Sequence, residues 1–284
     1  MTTPSPELGR TLQAGSIRTN LHDRGQGSPV LLIHGSGPGV SAWANWRRNL
    51  DALATEHRVL APDMVGFGFT ERPDGAVYDK ALWLQHLVDV MDAAGVERAD
   101  VIGNSFGGAM ALALAVAHPE RVRKLVLMGS VGLTFPLTEG LDKVWGYEPS
   151  IAAMRELLDL FAFDRSIVTD ELAELRYNAS IQPGFQESYG AMFPAPRQEG
   201  IQRLASSEDD VKALPHETLV VHGREDRVIP LEVSERLFAL IPRAELHVFK
   251  RCGHWTQIEH AERFNQLVLG FLGSGREGLH PQPR

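Results

Sequence analysis

The feature that most limits the fold of this chain is a repeated alternation. Short apolar and β-branched runs recur at 30–33 (VLLI), 58–61 (RVLA), 99–102 (ADVI), 124–128 (KLVLM), 218–221 (TLVV) and 245–249 (ELHVF). Helical patterns at 81–94, 106–117, 232–241 and 261–272 separate most of them. Runs of this length bounded by turn residues read as strands, and a strand that is apolar at successive positions is buried on both faces. The pattern predicts an α/β fold with a mostly parallel central sheet flanked by helices. The more polar segment 8–24 fits an antiparallel hairpin at the sheet edge. Between 134 and 209 the alternation stops: IAAMRELLDLF (151–161) and DELAELRY (170–177) are amphipathic helices, and Pro183, Pro194 and Pro196 interrupt the remainder of the segment. The expected organisation is an α/β core over 1–133 and 210–276, an inserted helical cap over 134–209, and a flexible tail at 277–284.

A length of 284 residues suits one such core with an insertion. With 43% hydrophobic and 23% charged residues the chain can bury a large core. No stretch approaches the roughly 18 apolar residues of a membrane span, and the first thirty residues lack a basic start with an apolar run, so a cytoplasmic location is expected. Cys252 is the only cysteine, which excludes an internal disulfide and a thiolate metal cluster. A net charge of −8 disfavours nucleic acid and anionic membrane as partners, and an acidic substrate would need a cation supplied by its own pocket.

The sequence Gly103-Asn104-Ser105-Phe106-Gly107 matches the G-x-S-x-G nucleophile elbow, a sharp strand-to-helix turn that exposes a serine above a sheet. From composition alone the pattern arises roughly once in ten chains of this length, so its context has to carry the argument. The apolar Val101-Ile102 precedes it directly, and a helix of small residues comes after it. The elbow makes the α/β-hydrolase fold the expected form of the α/β class. A serine hydroxyl needs a base, and the base an orienting carboxylate, in the chain order Ser, acid, His. Asp226 and His254 both stand on loops after strands and satisfy that order. Glu225 and Asp63 are rival acids, and His222 is the rival base. An oxyanion needs two N–H donors, expected from Phe106 and from the loop HGSGPG at 34–39. That loop lacks the G-x-G-x-x-G and G-K-[ST] spacings of nucleotide binding, and no H-E-x-x-H cluster suggests a metal, so no cofactor is expected.

The stretches HGSGPGVSAWANW (34–46), APDMVGFGFTERP (61–73), GNSFGG (103–108), SIQPGFQESY (180–189), HGREDRVIP (222–230) and RCGHWTQIEH (251–260) closely resemble the meta-cleavage product hydrolases of bacterial aromatic degradation. The 2-hydroxymuconic semialdehyde hydrolase branch is the nearest, and the likeness fails only at the tails. The resemblance implies hydrolysis of the C5–C6 bond of 2-hydroxy-6-oxohexa-2,4-dienoate, with hydrogen or a small alkyl group on carbon 6. It carries over Ser105, Asp226 and His254 as catalytic triad and the N–H groups of Ser36 and Phe106 as oxyanion hole. Asn45, Asn104, Arg176 and Trp255 match the family's polar pocket around the substrate's carboxylate and 2-oxo end. Arg155 and Arg165 are the alternative cations of the cap, and Phe161, Phe163 and Met192 are candidates for the carbon-6 wall, with ordinary packing as their plainer reading. The implied partner is a small dienoate, and the family suggests a homodimer. A preference for bulkier 6-alkyl or 6-phenyl substrates, a simple carboxylesterase, and a binding-only receptor on the same fold are the alternatives.

Overall fold

A computed structural model describes residues 5–273. Its strands are β1 (Arg10–Ala14), β2 (Ile17–Arg24), β3 (Ser28–Ile33), β4 (His57–Pro62), β5 (Ala99–Asn104), β6 (Val122–Met128), β7 (Glu217–Gly223) and β8 (Ala244–Phe249). They form one eight-stranded sheet in the order β1-β2-β4-β3-β5-β6-β7-β8. The hairpin β1–β2 joins antiparallel at one edge, and β3 to β8 are parallel. This is the mostly parallel sheet that the apolar runs demand.

The unbroken apolar runs divide their residues between two cores. Leu31, Ile33, Val101, Leu125, Leu127 and Val220 pack on one face. Their neighbours Val30, Leu32, Ile102, Val126, Met128 and Val221 pack on the other, because successive side chains of a strand point to opposite sides. Helices Lys80–Ala93, Phe106–Ala117 and Leu231–Leu240 contribute to the first cluster, and Ala261–Gly273 covers the second. Phe106–Ala117 is buried from Phe106 through Ala115, so it is apolar all round rather than amphipathic.

Between β6 and β7 the chain leaves the sheet and forms helices Glu139–Trp145, Ile151–Phe161, Asp170–Ser180, Phe185–Met192, Gln198–Leu204 and Glu208–Lys212. Thr138, Ser150, Thr169 and Ser207 each place a side-chain oxygen on the N–H three residues on, capping four of these helices for about 1 kcal/mol apiece. Leu141, Trp145, Leu158, Phe161 and Tyr189 from this segment belong to the same buried cluster as the sheet, so the inserted helices share the sheet's core. Residues 274–276 of the expected core range and the expected tail at 277–284 lie outside the described residues. No described helix is long and apolar enough to cross a membrane.

Candidate active site

Open parallel sheets bind ligands beyond the carboxyl ends of their strands, and the chemistry-bearing residues gather there. Ser105 stands directly after β5 with φ 56° and ψ −116°, a conformation that costs a non-glycine residue about 1–3 kcal/mol. Hydrogen bonds hold it there: Ser105 N–H donates to Met128 O (2.9 Å), and Ser105 O accepts from Gly108 (2.9 Å), Ala109 (3.2 Å) and Val131 (3.2 Å). The glycines of the motif are steric necessities. A Cβ at Gly103 would lie 2.2 Å from Gly107 O, and one at Gly107 would lie 2.2 Å from Ile33 O.

His254 stands on the loop after β8, and its Nδ1 lies 2.7 Å from Asp226 Oδ2. Asp226 Oδ1 accepts from the N–H groups of Val228 (2.7 Å) and Ile229 (3.0 Å), so the carboxylate is fixed before it meets the ring. Burial works against the charged acid, but the His254 and His222 rings and the N–H of Val228 hold Asp226 below the ordinary carboxylate value. With Nδ1–H donating to Asp226, Nε2 is the basic nitrogen, and it makes no hydrogen bond among the described residues. Gly129, just after β6, gives this pair its room: a Cβ there would lie 3.3 Å from both Asp226 Oδ2 and His254 Nδ1. Ser105 and His254 line one cavity without a hydrogen bond between them.

The rivals are occupied elsewhere. His222 Nδ1 meets Ser234 Oγ (2.7 Å), and its Nε2 meets Ile229 O (3.1 Å) and lies 3.5 Å from Asp226 Oδ2, so both nitrogens are engaged and the ring flanks the acid rather than facing the serine. Glu225 accepts from Cys252 N–H (2.9 Å) and from Arg224 (2.8 Å). Asp63 accepts from Ala42 N–H (2.6 Å), Phe69 N–H (2.8 Å) and Asn20 Nδ2 (2.8 Å), and burial pushes its carboxyl up to about 6. Burial also pushes the Cys252 thiol up to about 12, so it stays protonated and unreactive.

The cavity measures about 340 Å³. Ser36, Asn45, Asn104, Ser105, Arg176, His254 and Trp255, all marked out by the sequence, line it together. The Phe106 side chain turns instead into the core against Phe67 and Trp83, leaving only its main chain towards Ser105. As the first residue of its helix, Phe106 has no intrahelical partner for its N–H. The N–H of Ser36 is likewise unbonded among the described residues. Inserted helices hold Ser36 from above: Trp145 Nε1 donates to its Oγ (3.0 Å), and Tyr189 Oη lies 2.9 Å from its carbonyl.

Away from the serine, the wall carries buried donors without acceptors. Arg176 on helix Asp170–Ser180 is 7% exposed; its Nη2 donates to Gly39 O, while Nη1 forms no hydrogen bond and lies 3.9 Å from Glu7 Oε1. Asn45 accepts from Gly35 N–H (3.3 Å) through Oδ1, yet its buried Nδ2 has no partner. A buried donor left unmade costs about 1–3 kcal/mol, so two on one cavity wall call for an acceptor-rich ligand. Arg155 and Arg165 do not line the cavity: Arg155 pairs with Asp170 at the surface, and Arg165 is exposed. Phe161 lines the cavity and stacks on Trp255 at 5.0 Å, whereas Phe163 is 39% exposed under Arg251, and buried Met192 does not reach the cavity. Glu7, Gly129 and the cavity-lining Arg47 and Arg48 were not marked out by the sequence, and only the paired arginines carried a local signal.

Two buried histidines beneath the site set a pH dependence. His34 Nε2 accepts from Met64 N–H (2.9 Å) and its Nδ1 faces Gly35 O (2.7 Å), so the ring is neutral and burial lowers it to about 4. His86 Nδ1 accepts from Val65 N–H (3.2 Å), and burial, then His34, lower it to about 3. A base depressed on folding stabilises the fold above its unfolded value near 6.5 and loses that contribution as pH falls. Asp63, raised to about 6, acts in the opposite sense over a narrower range. The net expectation is a loss on the order of 3 kcal/mol between pH 7 and 5, seen as a lower Tm by calorimetry. An equal or higher Tm at pH 5 would contradict it.

Comparison with known proteins places the chain in a family. The α/β-hydrolase fold family matches residues 28–261. A 2-hydroxymuconate semialdehyde hydrolase from Pseudomonas sp. (strain CF600) is 65% identical over 268 residues, covering 94% of this chain and 95% of its own. A 2-hydroxy-6-oxo-2,4-heptadienoate hydrolase from Pseudomonas putida is 59% identical, covering 96% of this chain and 99% of its own. The meta-cleavage product hydrolase of Pseudomonas fluorescens IP01, solved as a serine-to-alanine variant complexed with acetates, is 59% identical with a TM-score of 0.94, over 95% of this chain and 99% of that one. By fold and by identity along almost its whole length, this chain belongs to the meta-cleavage product hydrolases of the α/β-hydrolase fold family.

Proposed function

We propose that the protein hydrolyses the C5–C6 bond of 2-hydroxy-6-oxohexa-2,4-dienoate or its 6-methyl analogue. The products are 2-hydroxypenta-2,4-dienoate and formate or acetate. The observation that carries this reading is the pair of orphaned donors, Arg176 Nη1 and Asn45 Nδ2, in the same cavity as Ser105 and His254. A simple ester hydrolase has no use for a buried guanidinium there. A carbon-carbon hydrolase needs one, because a C–C bond breaks heterolytically only when the departing carbanion is delocalised.

In this reading the dienol first takes its keto form, with a proton added at C5. His254, oriented by Asp226, removes a proton for attack at C6. The C6 oxygen becomes an oxyanion held by the N–H groups of Ser36 and Phe106. The C5–C6 bond then breaks with its electron pair passing to C5 and through the conjugated chain to the 2-oxygen, which takes a proton. Water supplies the hydroxyl of the new carboxylic acid. Arg176 pairs with the substrate carboxylate, with Asn45, Asn104 and Trp255 completing the polar end. The cavity's apolar wall, including Leu158 and Phe161, takes the carbon-6 substituent.

Steady-state rates for carbon-6 hydrogen, methyl, isopropyl and phenyl substrates test the assignment, read as loss of the yellow dienolate. The hydrogen and methyl compounds are expected to have the highest kcat/KM. A phenyl compound ahead of both would overturn the small-substituent reading, and no turnover of any would overturn the function. The same reading takes the enzyme as a cytoplasmic homodimer. Light scattering should then give twice the 31.3 kDa of one chain, and a monomer mass would refute it.

A further inference from the structure

The base of this site stands beyond the edge strand of the sheet. β8 is an edge strand paired only with β7, and the turn after it passes through Arg251 at φ 54° before reaching His254. Beyond the Asp226 bond to its ring, the position of His254 depends on the bonds its loop makes elsewhere. Cys252 N–H donates to Glu225 Oε2 (2.9 Å), within the core. The next groups turn to the inserted helices: His254 N–H (2.7 Å) and Trp255 N–H (3.3 Å) reach Phe161 O, at the end of helix Ile151–Phe161.

Glu259 joins these two segments. Its Oε1 accepts from Gly253 N–H (2.7 Å), next to His254, while its Oε2 accepts from Phe163 N–H (2.8 Å) and Asp164 N–H (2.8 Å), just past the helix end. The fit is close, since a Cβ at Gly253 would lie 2.5 Å from Phe161 O. The Phe161 ring in turn stacks over both His254 (5.9 Å) and Trp255 (5.0 Å) and lines the cavity. We infer that Glu259 is a positioning residue for the base. Its two carboxylate oxygens lock the cap segment 161–164 to the His254 loop, so that the cavity wall and the base move as one piece. Only a carboxylate serves, because every group facing it is a donor. A glutamine has one acceptor oxygen and would turn an NH₂ towards an N–H.

The inference rests on His254 acting as base for Ser105, but not on the dienoate as substrate. Glu259→Gln is therefore assayed in two ways, by turnover of the dienoate and by the rate at which a fluorophosphonate labels Ser105, which needs only the serine–histidine pair. Both rates are expected to fall by about 10- to 100-fold, with KM changed less than twofold and circular dichroism unchanged at the assay temperature. Glu259→Asp, which keeps both acceptors on a shorter arm, should recover part of the loss. A lower melting temperature with kcat and labelling within twofold of the parent would show a structural bolt only and overturn the inference. Should the glutamine variant fail to fold, hydrogen exchange of the unaltered protein decides. Amides of Gly253, Phe163 and Asp164 should exchange with one common protection factor, and factors differing by more than tenfold would refute the lock. Failure of the native protein to consume the dienoate, with labelling intact and sensitive to Glu259, would count against the proposed substrate alone.

Discussion

Ser105→Ala is expected to abolish steady-state loss of the dienolate, lowering kcat by roughly 10⁴- to 10⁶-fold, because members of a triad act as a unit. The fold should survive. The position is held by four main-chain bonds that the substitution leaves in place, and alanine occupies the φ of 56° at no greater strain than serine. The variant should still bind the substrate, since Arg176, Asn45 and the N–H groups of Ser36 and Phe106 are untouched. Titration should therefore show a shift of the dienolate spectrum without its decay. Turnover within tenfold of the parent would remove Ser105 from the chemistry.

Arg176→Gln should separate the carbon-carbon hydrolase from a generic esterase. Truncating one partner of a buried charged contact costs about 2–5 kcal/mol, so kcat/KM on the dienoate should fall by roughly 10²- to 10³-fold. A small neutral ester does not present a carboxylate to this residue, and its hydrolysis should change by less than about threefold. The variant also leaves Glu7 beside an uncharged side chain, although Ser41 Oγ still donates to it at 2.5 Å. A modest drop in Tm is therefore compatible with the role, and equal losses on both substrates are not.

Much of this arrangement is written locally. The six apolar runs became strands, five of them buried on both faces of one sheet and 245–249 as its half-exposed edge, and each gained only a few residues at its ends. The elbow is legible for a similar reason: Gly103 and Gly107 are forced by contacts within five residues and by one neighbouring loop. Ser105, Asp226 and His254 each stand on the segment after a strand, which is the placement their expected order requires. Other features depend on segments far apart in the chain. Glu7 reaches Arg176 from the N-terminal segment, where its sequence is an ordinary polar turn, and the two meet only through the fold. Gly129 has no motif of its own, and its need for bareness appears only when the Asp226–His254 pair is set against it. Phe161 and Phe163 are two residues apart and chemically alike, yet the helix ends between them and sends one to the cavity and the other to the surface.

The central claim is that water cleaves a carbon-carbon bond in this cavity. It is tested most directly by turning over 2-hydroxy-6-oxohexa-2,4-dienoate in H₂¹⁸O and identifying both products by mass spectrometry. The account predicts equimolar 2-hydroxypenta-2,4-dienoate and formate, with one solvent oxygen in the formate and none required in the five-carbon product. Decay of the yellow colour without formate, or with an intact six-carbon chain among the products, would contradict it.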